Sequence, residues 1–343
     1  MNIRTSDPGF AKYIDNNFSF FKCGWKEPNL QIDFDYHSRF RKHKQKNIDL
    51  NARLETFDLL GSNVYLQDNH LFYAAKGLKI GLSYDNMKIK IRAVFEEAPL
   101  TLRMLFSPLS FRRNILNYSN QKYSNYHYVS RMILELPLFM LLELKKNISI
   151  IHGSCVEKNG HAIIFTGTGG CGKSTLASYL VFKKGYKLMS DNYILFRTNE
   201  VYCFPKNLRL APISMKLLNF KPQEAKSWGK YHYRINNKLI SRTAHVKALL
   251  LTTFSPKFQL EMLPSHVATG YLLSIHDFLK EFPNYTYLAF LPFLDKIFLS
   301  LIDQRRKNLE NFVQNANSYI LRHSKNDSVV KTIKRIQRVI TDI

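Results

Sequence analysis

The sequence is poor in acidic residues. It has 26 Asp and Glu against 50 Lys and Arg in 343 residues, which gives a formal net charge of +24. So basic a chain is attracted to polyanions such as nucleic acids, anionic lipid surfaces or an acidic substrate. A Lys-rich solvated surface explains the charge equally well, because no basic patch interleaved with aromatic residues stands out. Charge alone therefore assigns no nucleic-acid binding.

Paired cysteines and long apolar runs are also lacking. The four cysteines are Cys23, Cys155, Cys171 and Cys203. Without a C-x-x-C pair, neither a zinc site nor a disulfide framework is indicated. The first residues lack the pattern of a signal peptide, and the most apolar stretches, 133–144 and 287–301, are interrupted by charges and prolines. We interpret both stretches as buried helices and expect a cytoplasmic protein.

The chain divides by pattern into two parts. Residues 1–125 carry short runs rich in aromatic and β-branched residues, which predict an N-terminal, mainly antiparallel β domain. From residue 126 to 343 the pattern is that of an α/β domain, beginning with a largely buried helix over 130–147. Two apolar runs then flank Asn159-Gly160, a dipeptide that strongly favours a β-hairpin.

The most specific signal is a full G-x-x-x-x-G-K-S motif between the apolar run HAIIFT and the helical pattern TLASYLVFKKG. Its glycines let consecutive N–H groups point inward at a helix N-terminus, which predicts a phosphate-binding loop for ATP. Lys173 would bridge the β- and γ-phosphates and Ser174 would offer its hydroxyl to Mg²⁺. We interpret Cys171 as a small variable loop residue rather than a redox switch. The predicted cofactor-binding residues are Gly167, Thr168, Gly169, Gly170, Cys171, Gly172, Lys173, Ser174 and Thr175.

An acidic partner for this loop is expected on the next strand. Gly185 closes the helix, and KLMSDN then predicts a strand that delivers Asp191 to the carboxyl edge of the sheet. A carboxylate there can hold Mg²⁺ together with Ser174 and accept a proton from an attacking hydroxyl. Asp303, at the end of IFLSLID, is a rival that resembles the acidic strand of motor ATPases, but its segment also fits an amphipathic helix. We prefer Asp191.

Residues 151–196 resemble the catalytic core of the HPr kinase/phosphorylase family and of related serine kinases. The resemblance rests on the order His152-Gly153, hairpin, glycine-rich loop, helix and Asp191. It implies an α/β P-loop kinase core of the HPr kinase C-terminal-domain type, which is PEP-carboxykinase-like, with His152 near the transferred phosphate. Asn192 stands where the family has a second aspartate, and the later signature tied to phosphorylase activity is absent. The reverse reaction and HPr as substrate are therefore not implied.

Basic residues beyond the loop are further candidates for phosphate binding, because an arginine can bind two phosphate oxygens at once. They are Lys206, Arg209, Arg234 and Arg242. Arg209 is preferred, because it lies in the segment FPKNLRLAPISMKLL, which resembles the same family more weakly. Ser154 and Glu157 would face the site or its mouth only in one hairpin register, and neither is assigned.

The C-terminal residues predict an amphipathic helix. Val329, Ile333, Ile336 and Ile340 share one face, and lysines and arginines surround it. Such a helix can touch an acidic membrane or a partner, or support self-association into a homo-oligomer. We expect it to dock on its own domain instead.

Together these patterns predict a Mg²⁺-dependent phosphotransferase with Asp191, His152 and Lys173 as catalytic residues. Its acceptor would be a hydroxyl of a protein, a peptide or a small molecule, and the basic surface favours an acidic one. Two other interpretations stay open: an ATPase or switch that binds nucleic acid or an anionic membrane, and a degenerate nucleotide-binding module in which Asn192 marks lost catalysis. The donor nucleotide also stays open, because phosphate loops recognise phosphates and not bases.

Overall fold

The computed structural model describes residues 2–18, 30–37, 64–67, 70–75, 77–85, 88–97, 111–221, 226–227, 229–275, 295–324 and 327–340. The architecture is mixed α/β, and the chain divides into two compact units. The first comprises residues 1–145 and 281–301, and the second comprises residues 146–280 and 302–343. The predicted domain boundary after residue 125 falls inside the first unit.

The first unit is built on a sheet of order β1-β2-β6-β5-β4-β3. Strands β3 to β6 form an antiparallel meander, and β1 and β2 join it in parallel through β6. A π-helical turn, Arg131–Glu135, joins the helices Phe111–Ser130 and Leu136–Lys146. The described elements are β1 (Asn2–Thr5), α1 (Pro8–Phe18), β2 (Leu30–His37), β3 (Val64–Gln67), β4 (His70–Ala75), β5 (Leu78–Asp85), β6 (Lys88–Glu96), α2 (Phe111–Ser130) and α3 (Leu136–Lys146).

The second unit has a larger sheet, and among the described residues its order is β10-β9-β7-β8-β14-β16-β15. Strands β8, β14 and β16 are parallel, and β7 lies between β8 and β9 and is antiparallel to both. A small separate sheet has the order β11-β13-β12. The strands are β7 (Ser149–Lys158), β8 (His161–Thr166), β9 (Lys187–Arg197), β10 (Glu200–Tyr202), β11 (Leu208–Leu210), β12 (Lys226–Ser227), β13 (Lys230–Tyr233), β14 (Thr243–Phe254), β15 (Gln259–Met262) and β16 (Asn317–His323).

Helices cover both faces of the larger sheet. They are α4 (Lys173–Lys184), α5 (Pro212–Leu218), α6 (Ser265–Ile275), α7 (Ser300–Gln314) and α8 (Val329–Val339), with 3-10 turns at Asn237–Leu239 and Lys296–Leu299. One core packs α4, α5, α8 and the small sheet against the larger sheet, and a second core packs α6 and α7 on the opposite face. Alternating side chains of the same strands supply both cores, as in a sheet covered on both sides.

Several local predictions can be compared with these elements. Asn159 and Gly160 have φ of 53° and 80°, the left-handed pair that a two-residue hairpin turn requires. The apolar face of α8 is buried in the domain core, as expected for a docked helix. Asp303 lies exposed on α7, so the rival prediction of an acidic strand there is wrong. Most of the predicted helix over 287–301 lies outside the described residues.

None of the helices in the described part of the chain combines the length and the apolar composition needed to cross a bilayer.

Candidate nucleotide-binding site

The residues of the G-x-x-x-x-G-K-S motif connect the end of β8 to the start of α4. Gly167 has a φ of 137°, and a Cβ at this position would collide with the carbonyl oxygen of Thr252 on β14. Gly172 has a φ of 90° and caps the N-terminus of α4. The first glycine is therefore required by close packing as well as by its dihedral angle, and the last one starts the helix that points at the loop.

The lysine of the motif is folded back onto its own loop. Its ammonium nitrogen donates to the carbonyl oxygens of Gly167, at 2.8 Å, and Thr168, at 2.7 Å. The side chain is buried, with 7% of the residue exposed. Lys173 thus spans the interior of the loop, where phosphate oxygens could replace the two carbonyls as its partners.

Asp191 accepts hydrogen bonds from two serines. Its Oδ1 atom lies 2.8 Å from Ser174 Oγ and 2.6 Å from Ser154 Oγ. The aspartate is buried, and Ser154 stands opposite it in the β7–β9 ladder. The loop serine and the carboxylate predicted to share a metal are thus in direct contact, and Ser154 is a third member that was left unassigned.

The strand that carries Asp191 does not end there. β9 continues to Arg197, and Asn192 takes a φ of 88° within it. Asn192 pairs with Gly153, which in turn pairs with Thr166 at the end of β8. Asp191 therefore lies level with the start of the loop, as expected, but in the interior of a long strand. Asn and Asp tolerate the left-handed region better than other side chains, which gives Asn192 a backbone reason for its place.

His152 and Gly153 lie on β7 beside the loop. A Cβ on Gly153 would approach Phe165 O to 2.6 Å and Ile194 Cδ1 to 2.8 Å, so the neighbouring strands leave room only for glycine. His152 is two residues from Ser154, which places both on one face of the strand. Its carbonyl oxygen accepts from Thr166 Oγ1 at 2.8 Å, and its ring centroid lies 6.3 Å from that of Tyr193.

Sequence reasoning missed His323, at the end of β16. Its Nε2 lies 3.0 Å from Cys171 O, and because a carbonyl can only accept, Nε2 carries the proton and donates it. The ring also contacts the position of Gly172, where a Cβ would lie 3.3 Å from Cε1. Cys171 is buried under this bond, with Sγ 3.6 Å from the Lys173 ammonium. No local signal marks His323, since the strand order that brings it here joins residues 152 positions apart.

A segment after β10 also borders the loop. Phe204 bridges Ser190 and donates its backbone N–H to Ser190 Oγ at 2.8 Å, next to Asp191. Ten residues later, Ser214 Oγ lies 2.6 Å from Thr175 Oγ1. Lys206 and Arg209 lie between these anchors, whereas the other two basic candidates, Arg234 and Arg242, are exposed. Thr175, predicted as a cofactor-binding residue, therefore bonds to α5.

The donor set suits magnesium. Mg²⁺ is usually bound through one or two carboxylates together with substrate phosphates, rather than by a cage of protein ligands. Asp191 and Ser174 supply one carboxylate and one hydroxyl at hydrogen-bond distance. Among the described residues no group of three or more His, Cys, Asp or Glu could hold a metal ion by itself. A metal at this site would therefore need the nucleotide as a further ligand.

Comparison with known proteins adds little. No protein-family model matches the chain, and no curated protein matches its sequence. Among solved structures, the chain is similar to the HPr(Ser) kinase/phosphatase from Coxiella burnetii, with 11% identity and a TM-score of 0.26 over 56% of this chain and 97% of that one. A similarity at this TM-score supports no argument about fold or activity. Family membership and the roles of the site residues stay predictions.

Proposed function

We propose that the chain is a Mg²⁺-dependent kinase that transfers the γ-phosphoryl group of ATP to a hydroxyl. The observation that carries the proposal is the contact between Ser174 Oγ and Asp191 Oδ1, 2.8 Å apart, at the mouth of a loop that holds a buried lysine. The resemblance of residues 151–196 to HPr-kinase-like serine kinases supports the same assignment.

Binding would use groups that already point into the loop. The ammonium of Lys173 would leave the carbonyls of Gly167 and Thr168 for oxygens of the β- and γ-phosphates, a charge-assisted exchange. The N-terminus of α4 would add its partial positive charge. Ser174 and Asp191 would hold Mg²⁺, which neutralises charge on the phosphates when bound.

Phosphoryl transfer needs no reactant besides ATP and the acceptor hydroxyl. The acceptor oxygen attacks the γ-phosphorus, and a new P–O bond forms on the side opposite the β–γ bridge. The bond between the γ-phosphorus and the bridging oxygen breaks, and ADP leaves with that electron pair. The hydroxyl proton passes to Asp191, whose carboxylate is positioned by Ser154. His152, on the face of β7 that carries Ser154, would lie near the transferred group.

The test is transfer of label from γ-³²P-ATP, in the presence of Mg²⁺, to components of a host lysate. In Lys173→Ala we expect transfer to fall by about 10²–10³-fold, because a cation aimed at developing phosphate charge is lost. Lys183→Ala is the matched control, since Lys183 is an exposed lysine of the same helix. It should keep full transfer.

Circular dichroism and thermal unfolding would establish that both variants are folded. Full transfer by folded Lys173→Ala would contradict the site assignment. Release of free phosphate that nucleic acid or anionic vesicles stimulate would favour the ATPase or switch. Tight nucleotide binding with no turnover would favour the degenerate module.

A further inference from the structure

The small sheet of β11, β12 and β13 has two chemically different faces. Leu208, Leu210, Tyr231 and Tyr233 alternate onto one face and pack into the core with α4 and α5. Arg209 and His232 stand directly opposite each other on the other face. Lys230 is two residues before His232 on the same strand, so it shares that face. One side of the sheet is therefore apolar core, and the other is basic.

The basic face lies beside Asp191 and the loop. The segment that carries Arg209 is anchored at both ends. Before it, Phe204 is hydrogen-bonded to Ser190, and after it, Ser214 is hydrogen-bonded to Thr175. These anchors fix Arg209 between the strand of Asp191 and the helix of the loop. The face is thus held at the end of the site where Ser174 and Asp191 would contact the γ-phosphate, since those residues mark the metal and the transferred group.

The charges around Lys230 agree with this placement. Burial, followed by the positive charge of Arg209, lowers the pKa of Lys230. The negative charge of Asp191 opposes this shift, and the positive charge of Lys173 adds to it. Burial, together with the positive charges of Arg209 and Lys206, lowers the pKa of His232 to about 3. Cations are thus crowded at this face, and within the described part of the chain the Lys230 ammonium has no hydrogen bond or ion pair.

Burial of the Lys230 ammonium without an ion pair is unfavourable unless an anion joins it. The loop amides and Lys173 already serve the phosphates of the nucleotide, and Asp191 is needed for the metal and the hydroxyl. Lys230 and Arg209 are therefore left for an anion of the acceptor.

We propose that Arg209 and Lys230 form an anion-binding site for the acceptor, and that the acceptor carries a carboxylate or phosphate close to its reactive hydroxyl. This inference rests on the proposed kinase function and specifies its substrate class. A serine within a neutral peptide lacks such a group, so peptides of that kind are excluded as acceptors.

The experiment uses matched pairs of probes that differ only in the anion. L-serine is compared with serinamide, and glycerol 3-phosphate with glycerol, by calorimetry on the full chain with its loop occupied by Mg²⁺ and a non-hydrolysable ATP analogue. The first pair tests a carboxylate and the second a phosphate. We expect at least one probe with a carboxylate or phosphate to bind about ten- to a hundredfold more tightly than its partner without that group, the range typical of a charged hydrogen bond.

Substitutions locate the effect. Lys230→Met should remove that preference and leave the affinity for the ATP analogue unchanged, and Lys230→Arg should retain it. Lys238→Met is the matched control, because Lys238 is an exposed lysine of the 3-10 turn that follows β13. It should behave as the wild type.

Equal binding within both pairs would overturn the proposal, as would an unchanged preference in Lys230→Met. A comparable loss of affinity for the ATP analogue in Lys230→Met would also overturn the proposal, because the basic face would then bind the nucleotide. Failure of the chain to bind the ATP analogue at all would contradict the kinase proposal instead. The preference for anionic probes would still be measured on the nucleotide-free protein, so the two failures are distinguishable.

Discussion

The two ends of the parallel strands β8, β14 and β16 differ in what they allow. At the carboxyl ends, Gly167 has no room for a side chain, and Thr166 and His323 are hydrogen-bonded to backbone carbonyls. At the amino ends, His161 and His245 stand opposite each other and are exposed. Both ends carry titratable side chains, but the crowded end has the better-defined geometry. Fixed backbone positions, more than an abundance of reactive side chains, distinguish the candidate site.

The largest expected effect comes from adding a methyl group at each end. Gly167→Ala should abolish binding of a fluorescent ATP analogue, because its Cβ would collide with Thr252 and displace the loop. Gly160→Ala, in the hairpin turn at the other end, has open space around its Cβ. It should cost about 1–2 kcal/mol of stability from its left-handed φ and leave binding intact. Normal binding by Gly167→Ala would show that the close packing is not needed.

A smaller effect is expected from histidines at the two ends. His323→Ala removes the donor to Cys171 O and the ring beside Gly172, so the loop should be less well ordered. We expect nucleotide affinity to fall about tenfold, the value of one buried hydrogen bond, and the melting temperature to fall as well, because the ring is buried. His161→Ala should change neither quantity. Isothermal titration would measure both variants, and equal affinities would remove the contrast between the ends.

The smallest effect concerns acid stability and a buried histidine, His232. The folded pKa of His232, about 3, is below the unfolded value. The unfolded chain therefore takes up a proton below about pH 6.5 that the folded chain refuses, and stability falls as the pH falls towards 3. This term should amount to about 1 kcal/mol between pH 7 and 5.5.

His232→Gln should accordingly flatten the pH dependence of urea unfolding in that window, relative to the unsubstituted chain. The slope is the readout because it does not depend on the absolute stability of each variant. An unchanged slope in His232→Gln would mean that this histidine does not resist protonation in the folded chain.

Local patterns predicted the elements around the loop well. The hairpin at Asn159-Gly160, the helix closed by Gly185 and the level of Asp191 follow from turn chemistry and periodicity. The hairpin register of Ser154 follows from the same information, whereas its contact with Asp191 also needs the pairing of β7 with β9. A two-residue turn pairs Lys158 with His161, and counting back along both strands places Gly153 beside Thr166.

Other features could not be predicted locally. His323 reaches the loop only because β16 joins β14. Lys230 comes under the charge of Asp191 only because β13 pairs with β11 in the small sheet. Both depend on pairings between strands that are distant in sequence. Asp303 was ambiguous for a different reason, since a short apolar run fits a strand or one face of a helix and only its packing decides.

The back-folded lysine has a consequence for the order in which an active complex assembles. Before nucleotide arrives, the loop carbonyls hold the ammonium of Lys173, and the two serine hydroxyls occupy Asp191 Oδ1. A free magnesium ion would have to disrupt these two hydrogen bonds and would gain one carboxylate and one hydroxyl but no phosphate. Metal and nucleotide are therefore expected to enter together, with the triphosphate drawing the lysine away from its carbonyls. Such an ordered entry would keep the site idle in magnesium alone.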